Sequence, residues 1–426
     1  MLLHLFRLTL LLICVYTVRH YWFTLNRLFG RQRHPYIDLE NAAWPAVTVL
    51  IAAHNEEAVI SDILRALLEV DYPRERLTII PVNDRSTDRT REIIDAFVVQ
   101  HPFVEPFHRT GGKPGKAAAL KDAMERVTSE IVLIFDADYI PGKALIRQLV
   151  APFFDPEIGA VMGRVVPLNV GKKSLTRLLD LERSGGYQVD QQARMNLHLV
   201  PQYGGTVAGV RKSALDEIGG WNEDALAEDT DLTYRLLLAG WKTAYENRAE
   251  CYEEVPERWP VRVRQIKRWA KGHNQAMARY LFGLAKCSGL SKLERIDGTL
   301  LLGVYLMGPV LLLGWLLAVV LFYNGAQIGG GLTVLALGAF TTLGNFAAFF
   351  EIAAAARLDG SRQRIRLLPL TLFGFTVSLI SVSQAAWQQV QESIFGARQL
   401  VWHKTERSRT APVLEDRLPV VLEESV

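Results

Sequence analysis

Long apolar stretches occupy both ends of the chain, and between them short apolar runs alternate with amphipathic ones. No charged residue occurs between Asp297 and Glu351, and the stretch from Gly298 to Tyr323 is long enough to cross a membrane as a helix. A second span is predicted at about Gly331 to Phe350. The stretch from Leu367 to Val390 is also uncharged. Its C-terminal half contains glutamines, which favour placing that half in the interface or in protein rather than in lipid.

The first apolar stretch, Met1 to Leu25, is interrupted by Arg7 and Arg19. A secretory signal peptide and a retained transmembrane anchor both fit this pattern, but no small-x-small cleavage site follows, which favours the anchor. Arginines are denser after the anchor than before it, and the positive-inside rule then places the following domain in the cytosol. These arginines are Arg19, Arg27, Arg31 and Arg33.

A basic loop after the second predicted span is also typical of the cytosolic side, and it contains Arg357, Arg362, Arg364 and Arg366. A third full span would place the tail outside, so the topology after Leu367 stays open. The predicted organisation is an anchor and basic flank at 1–34, a cytosolic domain at 35–285 with an interfacial helix near 257–285, two to three membrane segments at 286–400, and a tail at 401–426. The charged tail is expected to be disordered.

Strand and helix patterns alternate from Trp44 to about Tyr280. Buried strands are predicted at Val47–Ala53, Leu77–Val82 and Ile131–Phe135. Helices are predicted at Glu57–Val70, Thr87–Val99 with Ser86 as N-cap, and Lys116–Val127. This alternation predicts an α/β domain with a parallel sheet covered on both faces, in which ligand groups collect at the carboxyl ends of the strands.

Charge and cysteine content exclude some classes of function. The formal net charge is only +3, which argues against a nucleic-acid partner. The cysteines, Cys14, Cys251 and Cys287, have no metal-ligand or disulfide spacing, as expected in a reducing compartment. No G-x-G-x-x-G follows the first strand, and the glycines of Gly111–Ala117 do not have P-loop spacing, so dinucleotide and P-loop sites are set aside.

Asp136 and Asp138 follow the third predicted strand. Two carboxylates at a strand end can share one divalent ion that also binds phosphate oxygens. A solvated turn is the commoner explanation of an isolated Asp-x-Asp, but the position after a buried strand favours the metal site.

Glu228 and Asp229 begin an amphipathic helix that runs to Gly240. Favourable charge at a helix N-terminus explains any one acid there. It does not explain three acids in four positions close to glycine pairs that let backbone approach a ligand. Asp229 is therefore the candidate general base for an incoming hydroxyl.

The segment from Gln265 to Trp269 lies in a helix whose apolar face is predicted to rest on the membrane surface. Arg268 offers a planar fork for diphosphate oxygens, and Trp269 offers a ring for the apolar face of a sugar. An ordinary basic interfacial helix with Trp269 as its membrane anchor explains the pattern equally well, and the periodicity does not decide between the two.

Together, these motifs resemble the D, DxD, [TA]ED and QxxRW set of membrane-integrated family 2 glycosyltransferases, the group of cellulose, hyaluronan, chitin and poly-N-acetylglucosamine synthases. The motif residues are Asp84, Asp136, Asp138, Ala227-Glu228-Asp229, Gln265, Arg268 and Trp269. The resemblance covers about Val47 to His273 and implies a GT-A fold, a Rossmann-like nucleotide-sugar-binding domain, joined to transmembrane helices. Asn83 and Ala227 depart from the commonest forms of these motifs.

The resemblance also implies roles for individual residues. The UDP-sugar would be bound by His54, Glu56, Asp84, Lys116, Asp136 and Arg268, with the uridine at the first three. Asp138, together with Asp136, would hold Mg²⁺ or Mn²⁺, and Asp229 would be the base. The acceptor would be bound by Gln265, Trp269 and Glu228.

The expected reaction is an inverting single displacement at the cytosolic face of the plasma (inner) membrane, carried out by a multi-pass protein. A growing polysaccharide, with translocation of the polymer, is the preferred acceptor because membrane segments lie on both sides of the Gln265–Trp269 element. A lipid acceptor, as in ceramide glucosyltransferases, is the alternative, and a catalytically silent scaffold is a third hypothesis. The sequence predicts neither the sugar, nor a protein partner, nor a role for the Trp402–Arg407 segment.

Overall fold

The computed structural model describes residues 1–35, 42–326, 329–340, 346–360, 362–396 and 409. Within these ranges, one sheet with surrounding helices forms the central domain, and long helices lie at both ends of the chain. The predicted tail, including the Trp402–Arg407 segment, lies outside the described residues except for Arg409.

The central sheet has eight strands in the order β3-β2-β1-β4-β7-β6-β8-β5. The strands are β1 Val47–Ala53, β2 Leu77–Asp84, β3 Phe107–Arg109, β4 Ile131–Asp136, β5 Ile140–Pro141, β6 Ile158–Pro167, β7 Ala208–Arg211 and β8 Lys242–Glu253. Strands β1, β2, β3 and β4 pair in parallel, as predicted, so β1, β2 and β4 end at the same edge. That edge carries His54, Asp84 and Asp136.

The prediction of a parallel sheet was wrong for β7 and β5, although β6 and β8 pair in parallel. Strand β7 pairs antiparallel with both β4 and β6, so the sheet is mixed. The direction of a strand depends on the end of the sheet at which the preceding connection delivers the chain, and a strand's own apolar pattern does not contain this information.

Apolar cores lie on both faces of the sheet. Along β1, Val49 and Ile51 belong to one core and Leu50 to the other, which is the two-residue period of a strand buried on both sides. The covering and connecting helices are α2 Ile60–Leu68, α3 Thr90–Gln100, α4 Lys116–Ala123, α5 Leu145–Val150, α6 Ser174–Ser184, α7 Gln192–Asn196, α8 Lys212–Glu217 and α9 Glu228–Leu238. A π-helical segment, Gly185–Gln191, joins α6 to α7.

The predicted N-cap at Ser86 was wrong, because α3 begins at Thr90 and Arg89 occupies the N-cap position. The Ser86 hydroxyl instead accepts a hydrogen bond of 2.9 Å from the Asn55 amide. Ser86 therefore ties the loop after β2 to the loop after β1, at the edge where the candidate site residues collect.

In the part of the chain that the structure describes, three helical stretches are long and apolar enough to cross a membrane: Leu2–Phe29, Val304–Tyr323 and Gln363–Phe395. The terminal helices are α1 Leu2–Phe29, α10 Trp259–Lys286, α11 Lys292–Leu302, α12 Met307–Tyr323, α13 Gly331–Phe340, α14 Ala347–Leu358 and α15 Leu368–Phe395. The predicted span from Gly298 is broken after Leu302, where a 3₁₀ turn separates α11 from α12. The predicted second span contains α13 and the beginning of α14, and its positions 341–345 lie outside the described residues.

Buried ion pairs join α1 to the central domain. The Arg19 guanidinium lies 2.8 Å from Asp190 and 3.3 Å from Asp297, and Arg194 lies 2.5 Å from Asp297. Removing one partner from a buried pair leaves an uncompensated charge, at a cost of about 3–5 kcal/mol. The first helix is therefore an integral part of the structure, and its position relative to the domain is fixed.

The apolar face of α10 packs largely on protein. Ile266 and Ala270 lie against Val382 and Ala385 of α15. Farther along α10, the cluster that contains Tyr280 also includes residues of α9 and α11. The prediction that this face rests on the membrane surface was therefore wrong for these positions, because α15 and α9 cover it.

Candidate active site

A cavity of about 1200 Å³ extends from the ends of β1, β2 and β4 to the apolar helices α12, α13, α14 and α15. All the site residues predicted from the sequence line this cavity: His54, Glu56, Asp84, Lys116, Asp136, Asp138, Glu228, Asp229, Gln265, Arg268 and Trp269. They come from strand ends, from the first turns of α4 and α9 and from α10, so the fold brings together groups that are far apart in the sequence.

Asp84 is surrounded by hydrogen-bond donors. Arg109, whose side chain is only 2% exposed, donates at 2.6 Å, and Arg85 donates at 2.9 Å. The backbone N–H of Gly115 donates at 3.2 Å. On the other side, the His54 ring lies 2.6 Å from the Asp84 backbone oxygen through Nδ1. The carboxylate of Asp84 is therefore held in place by three donors from different parts of the chain.

Lys116 joins two of the predicted motifs. Its ammonium donates to Asp136 at 2.5 Å and to the Gly205 carbonyl at 3.0 Å, and it lies 3.7 Å from Glu228. Burial alone would lower the pKa of Lys116, but Asp136 and Glu228 outweigh burial and raise it, so this amine remains charged. It places one fixed positive charge between two acidic segments.

Gly205 is required where the backbone approaches these acids. Its φ of +75° is unfavourable for other residues, and an added Cβ would lie 3.2 Å from the Asp229 Cβ and 3.4 Å from Glu228 Oε1. The glycine pair noted in the sequence therefore lets one loop lie directly against the acidic start of α9.

Asp136 and Asp138 offer carboxylate oxygens to the same cavity. Within the described ranges, no group of three or more His, Cys, Asp or Glu side chains is arranged to hold a metal ion. Mg²⁺ and similar ions in nucleotide sites commonly take one or two carboxylates and complete their coordination with phosphate oxygens and water. The donor set present therefore suits an ion that is bound together with a phosphate-bearing substrate.

Glu228 and Asp229 form the first turn of α9. Asp229 accepts a hydrogen bond of 2.7 Å from the Thr230 N–H. Burial raises the pKa of Asp229 above its ordinary value, although the Thr230 amide, Lys116 and Arg268 oppose this effect. Burial likewise raises the pKa of Glu228. Carboxylates with raised pKa values, beside a cavity, are suited to accept protons.

Helix α10 contributes Gln265, Arg268 and Trp269. Two guanidinium groups lie over the Trp269 ring, Arg262 at 5.2 Å and Arg183 at 5.4 Å from its centroid, and fix the ring by cation–π contacts. Arg262 also donates to Gln265 at 2.9 Å. The polar face of α10 therefore presents a positioned aromatic ring to the cavity.

The start of α9 is in direct contact with α10. A Cβ added at Gly272 would lie 2.5 Å from the Ala227 Cβ and 2.8 Å from the Ala227 amide nitrogen. Only a residue without a side chain fits between the two segments. The candidate base and the Gln265–Trp269 element therefore keep a fixed relative position.

The half of the cavity nearest α12, α13, α14 and α15 is lined mainly by apolar side chains, with the hydroxyl groups of Thr376 and Ser378 among them. Its lining includes Leu301, Val304, Met307, Leu311, Trp315, Ala339, Ala347, Ala348, Phe349, Leu372, Phe375, Leu379 and Val382. The polar site at the strand ends is thus continuous with an apolar chamber formed by α12, α13, α14 and α15.

Several lining residues were not predicted from the sequence: Arg183, Gln202, His273 and Tyr305. His273 follows Trp269 by four residues on one helix, so helical spacing would have placed both on the same face. The other residues lie in stretches without a recognisable motif, and the sequence contains no signal that identifies them.

A family model described as "Glycosyltransferase like family 2" matches residues 45–272. A probable glycosyltransferase, YdaM, of Bacillus subtilis is 35% identical over 267 residues, which are 62% of each chain. A β-monoglucosyldiacylglycerol synthase of Synechocystis is 35% identical over 57% of this chain and 50% of its own. The chain therefore spans about half to two thirds of the length of these relatives.

Two further similarities are more distant. A poly-β-1,6-N-acetyl-D-glucosamine synthase of Staphylococcus epidermidis is 28% identical over 64% of this chain and 65% of its own. Among solved structures, the mannosyltransferase PcManGT from Pyrobaculum calidifontis, in complex with GDP-Man and Mn²⁺, superposes with a TM-score of 0.54 at 22% identity and covers 83% of this chain and 98% of that one. The likeness to PcManGT shows the fold, which is of the GT-A type.

Proposed function

The chain belongs to the family 2 glycosyltransferases, and we propose that it transfers a sugar from a UDP-sugar to the hydroxyl of a membrane lipid with inversion at the anomeric carbon. The observation that carries this proposal is the continuity of the cavity, which joins the acidic strand ends to an apolar chamber between membrane helices. In such a space a water-soluble donor can meet a bilayer-soluble acceptor, because the donor stays in the polar part and the acceptor's apolar chains stay in the apolar part.

The donor is proposed to bind at the polar end. His54 and Asp84 lie next to each other at the ends of β1 and β2, where the uridine would be held together with Glu56. Arg268 would contact the diphosphate through its planar guanidinium. Asp136 and Asp138 would hold Mg²⁺ or Mn²⁺, which neutralises charge on the departing diphosphate. Lys116 adds a fixed positive charge beside Asp136.

Asp229 is proposed as the general base. Its buried carboxylate removes the proton from the acceptor hydroxyl as that oxygen attacks the anomeric carbon, and Arg268 stabilises the diphosphate that leaves. A single displacement without an enzyme nucleophile inverts the configuration, so an α-linked donor gives a β-linked product. Glu228, Gln265 and Trp269 would orient the acceptor at this point.

The lining of the chamber favours a lipid over a polysaccharide. Sugar hydroxyl groups that leave water need hydrogen-bond partners, and an unpaired hydroxyl costs about 1–3 kcal/mol. Leu311, Phe375 and Leu379 offer none, although Thr376 and Ser378 beside them carry hydroxyl groups. An acyl chain, by contrast, gains free energy from each buried CH₂. We therefore propose the lipid before the polysaccharide, which is the opposite of the order expected from the sequence.

A growing polysaccharide remains the second candidate. Two observations favour it: membrane helices flank α10 on both sides in the sequence, and the Staphylococcus epidermidis relative is a polysaccharide synthase. We propose in either case that the central domain faces the cytosol from a multi-pass position in the plasma (inner) membrane. The arginines that flank α1 and precede α15 support this orientation.

The proposal is tested with the full chain in lipid nanodiscs and a panel of UDP-sugars. Diacylglycerol, ceramide or a short oligosaccharide is supplied as acceptor, and products are separated and identified by mass spectrometry. A single glycolipid made only when both donor and lipid are present is the expected result. A ladder of saccharide products would contradict the lipid acceptor and favour the second candidate, and the absence of UDP release with every acceptor would contradict both.

A further inference from the structure

Arg409 is the one residue of the predicted tail that the structure describes, and its side chain lies in the central domain. The guanidinium donates a hydrogen bond of 2.9 Å to the carboxylate of Asp62, in the first turn of α2. It also donates at 3.3 Å to the backbone oxygen of Asp138, the proposed metal ligand. The Arg409 side chain is only 8% exposed, so a residue from the far end of the chain is buried beside the polar part of the cavity.

Glu254, which directly follows β8, binds the same arginine. Its carboxylate accepts a hydrogen bond of 2.9 Å from the Arg409 backbone N–H and lies 3.5 Å from the guanidinium Nε. The side chains of Asp62 and Glu254 are 1% and 6% exposed. Buried carboxylates are stable when a cation balances their charge, and one guanidinium lies against both of them here. Arg409 thereby joins the start of α2, the loop after β4 and the end of β8.

The loop that carries Asp138 is also held at the next residue. The Tyr139 hydroxyl donates to Glu253 at 2.7 Å, and Glu253 in turn lies 2.7 Å from the Arg183 guanidinium. The loop is therefore fixed at two successive points, the backbone oxygen of Asp138 and the side chain of Tyr139. Because the Asp138 side chain lines the cavity, its position there depends on the backbone that these contacts hold.

We propose that Arg409 is a positioning residue for the metal site, which holds the backbone of Asp138 so that the carboxylate stays where a divalent cation and a diphosphate meet. This inference rests on the proposed function, because it takes Asp138 to be a metal ligand. It goes further by giving a residue of the C-terminal tail a part in the reaction. Groups that orient a metal ligand without binding the metal typically change metal affinity or activity about 10–100-fold when they are replaced.

The first test is Arg409→Gln, which shortens the side chain, removes its charge and so breaks the contacts with Asp62 and the Asp138 backbone. In the full chain in nanodiscs, with UDP present, the Kd for Mn²⁺ measured by electron paramagnetic resonance should rise about tenfold. UDP binding without metal, measured by calorimetry, should be unchanged. Raising the Mn²⁺ concentration should restore turnover, whereas a purely structural defect would lower kcat at every concentration.

Two further variants make the result independent of whether Arg409→Gln folds. Lysine at position 409 keeps the charge but has no planar fork, so the Kd for Mn²⁺ in Arg409→Lys should lie between the wild type and Arg409→Gln. Asp62→Asn weakens the ion pair that orients the guanidinium, and it should raise the same Kd. The double variant Asp62→Asn, Arg409→Gln should be no worse than Arg409→Gln, because both changes act through one contact.

Arg147→Gln is the matched control. Arg147 likewise donates to both a carboxylate and a backbone oxygen, those of Asp71, at 3.1 and 3.0 Å. Asp71 precedes β2, whereas the site residue Asp84 ends that strand. The Kd for Mn²⁺ in Arg147→Gln should therefore equal that of the wild type.

Equal Mn²⁺ affinities in the wild type, Arg409→Gln and Asp62→Asn would overturn the proposal. A loss of UDP affinity without metal in Arg409→Gln would overturn it as well, since Arg409 would then act on the nucleotide. If thermal unfolding shows that Arg409→Gln does not fold, unchanged Mn²⁺ affinity in Arg409→Lys and Asp62→Asn has the same meaning. The wild type tests the proposed function separately: no Mn²⁺ binding with UDP would contradict the metal site itself, whereas normal binding with unaffected variants would contradict only the role of Arg409.

Discussion

Asp84 and Asp229 line one cavity but have opposite surroundings. Asp84 receives hydrogen bonds from two guanidinium groups and one backbone N–H. Asp229 accepts from the Thr230 N–H, and within the described residues no Arg or Lys is hydrogen-bonded to it. Burial raises the pKa of Asp229, whereas the carboxylate of Asp84 is occupied by hydrogen bonds from Arg109 and Arg85. Two aspartates of one cavity are thus suited to different tasks, Asp84 to binding and Asp229 to proton transfer.

The largest effect should come from removing the base. We expect Asp229→Asn to lower kcat by roughly a hundredfold to ten-thousandfold, because general-base catalysis contributes 10²–10⁴. UDP binding, measured by calorimetry, should be unchanged, since the substitution leaves Asp84 and its partners intact. Asp224→Asn is the control, because its side chain is 77% exposed and paired with Lys113. Normal turnover by Asp229→Asn would remove Asp229 from this role.

Replacing a proposed metal ligand tests the polar end directly. Asp138→Asn should lower kcat/KM about a hundredfold or more, because a charged ligand contributes to both metal binding and neutralisation of the diphosphate. EDTA should inactivate the wild type reversibly, with activity restored by Mg²⁺ or Mn²⁺. Asp136→Asn should behave similarly. Wild-type activity that is insensitive to chelators would contradict the metal assignment.

A smaller effect is expected from Asp84→Asn, which removes the negative charge that the guanidinium groups of Arg109 and Arg85 bind. Neutralising Asp84 leaves the buried Arg109 guanidinium less well paired, although Asp122, which lies 2.6 Å from Arg109, still balances part of its charge. UDP affinity should fall about tenfold, and the midpoint of thermal unfolding should fall as well. Asp122→Asn, whose side chain is 44% exposed, provides the matched control and should affect UDP binding less. An unchanged UDP affinity in Asp84→Asn would contradict its proposed contact with the uridine.

The finest test concerns pH. Asp229 must be deprotonated to act as base, so activity should be lost as pH falls through its raised pKa. Arg268 lowers that pKa, so Arg268→Gln should move the acidic limb of the log kcat profile to higher pH. Lys267→Gln, on the same helix, should leave the limb in place. A shift to lower pH in Arg268→Gln would contradict the assignment of this limb to Asp229.

The sequence identifies the acidic positions better than their partners. Asp84 and Asp136 were predictable because parallel strands end at one edge, and β1, β2 and β4 do so. Arg109, which pairs with Asp84, lies in a stretch without a motif, and only the packing of β3 beside β2 brings it there. Likewise, the chain Gln202–Thr230–His273 joins three elements that no local pattern relates. Pairings between distant elements arise from the assembled fold, so single-sequence patterns do not contain them.

The contact between Gly272 and Ala227 has an evolutionary consequence. A methyl group at position 272 would lie 2.5 Å from the methyl group of Ala227. The space between the two positions therefore holds only one of these side chains. A larger residue at one site requires the other to remain small or the helix to withdraw. Descendants of this chain are therefore expected to change the two positions together, and homologues that carry a bulkier residue before the acidic pair should keep glycine at 272.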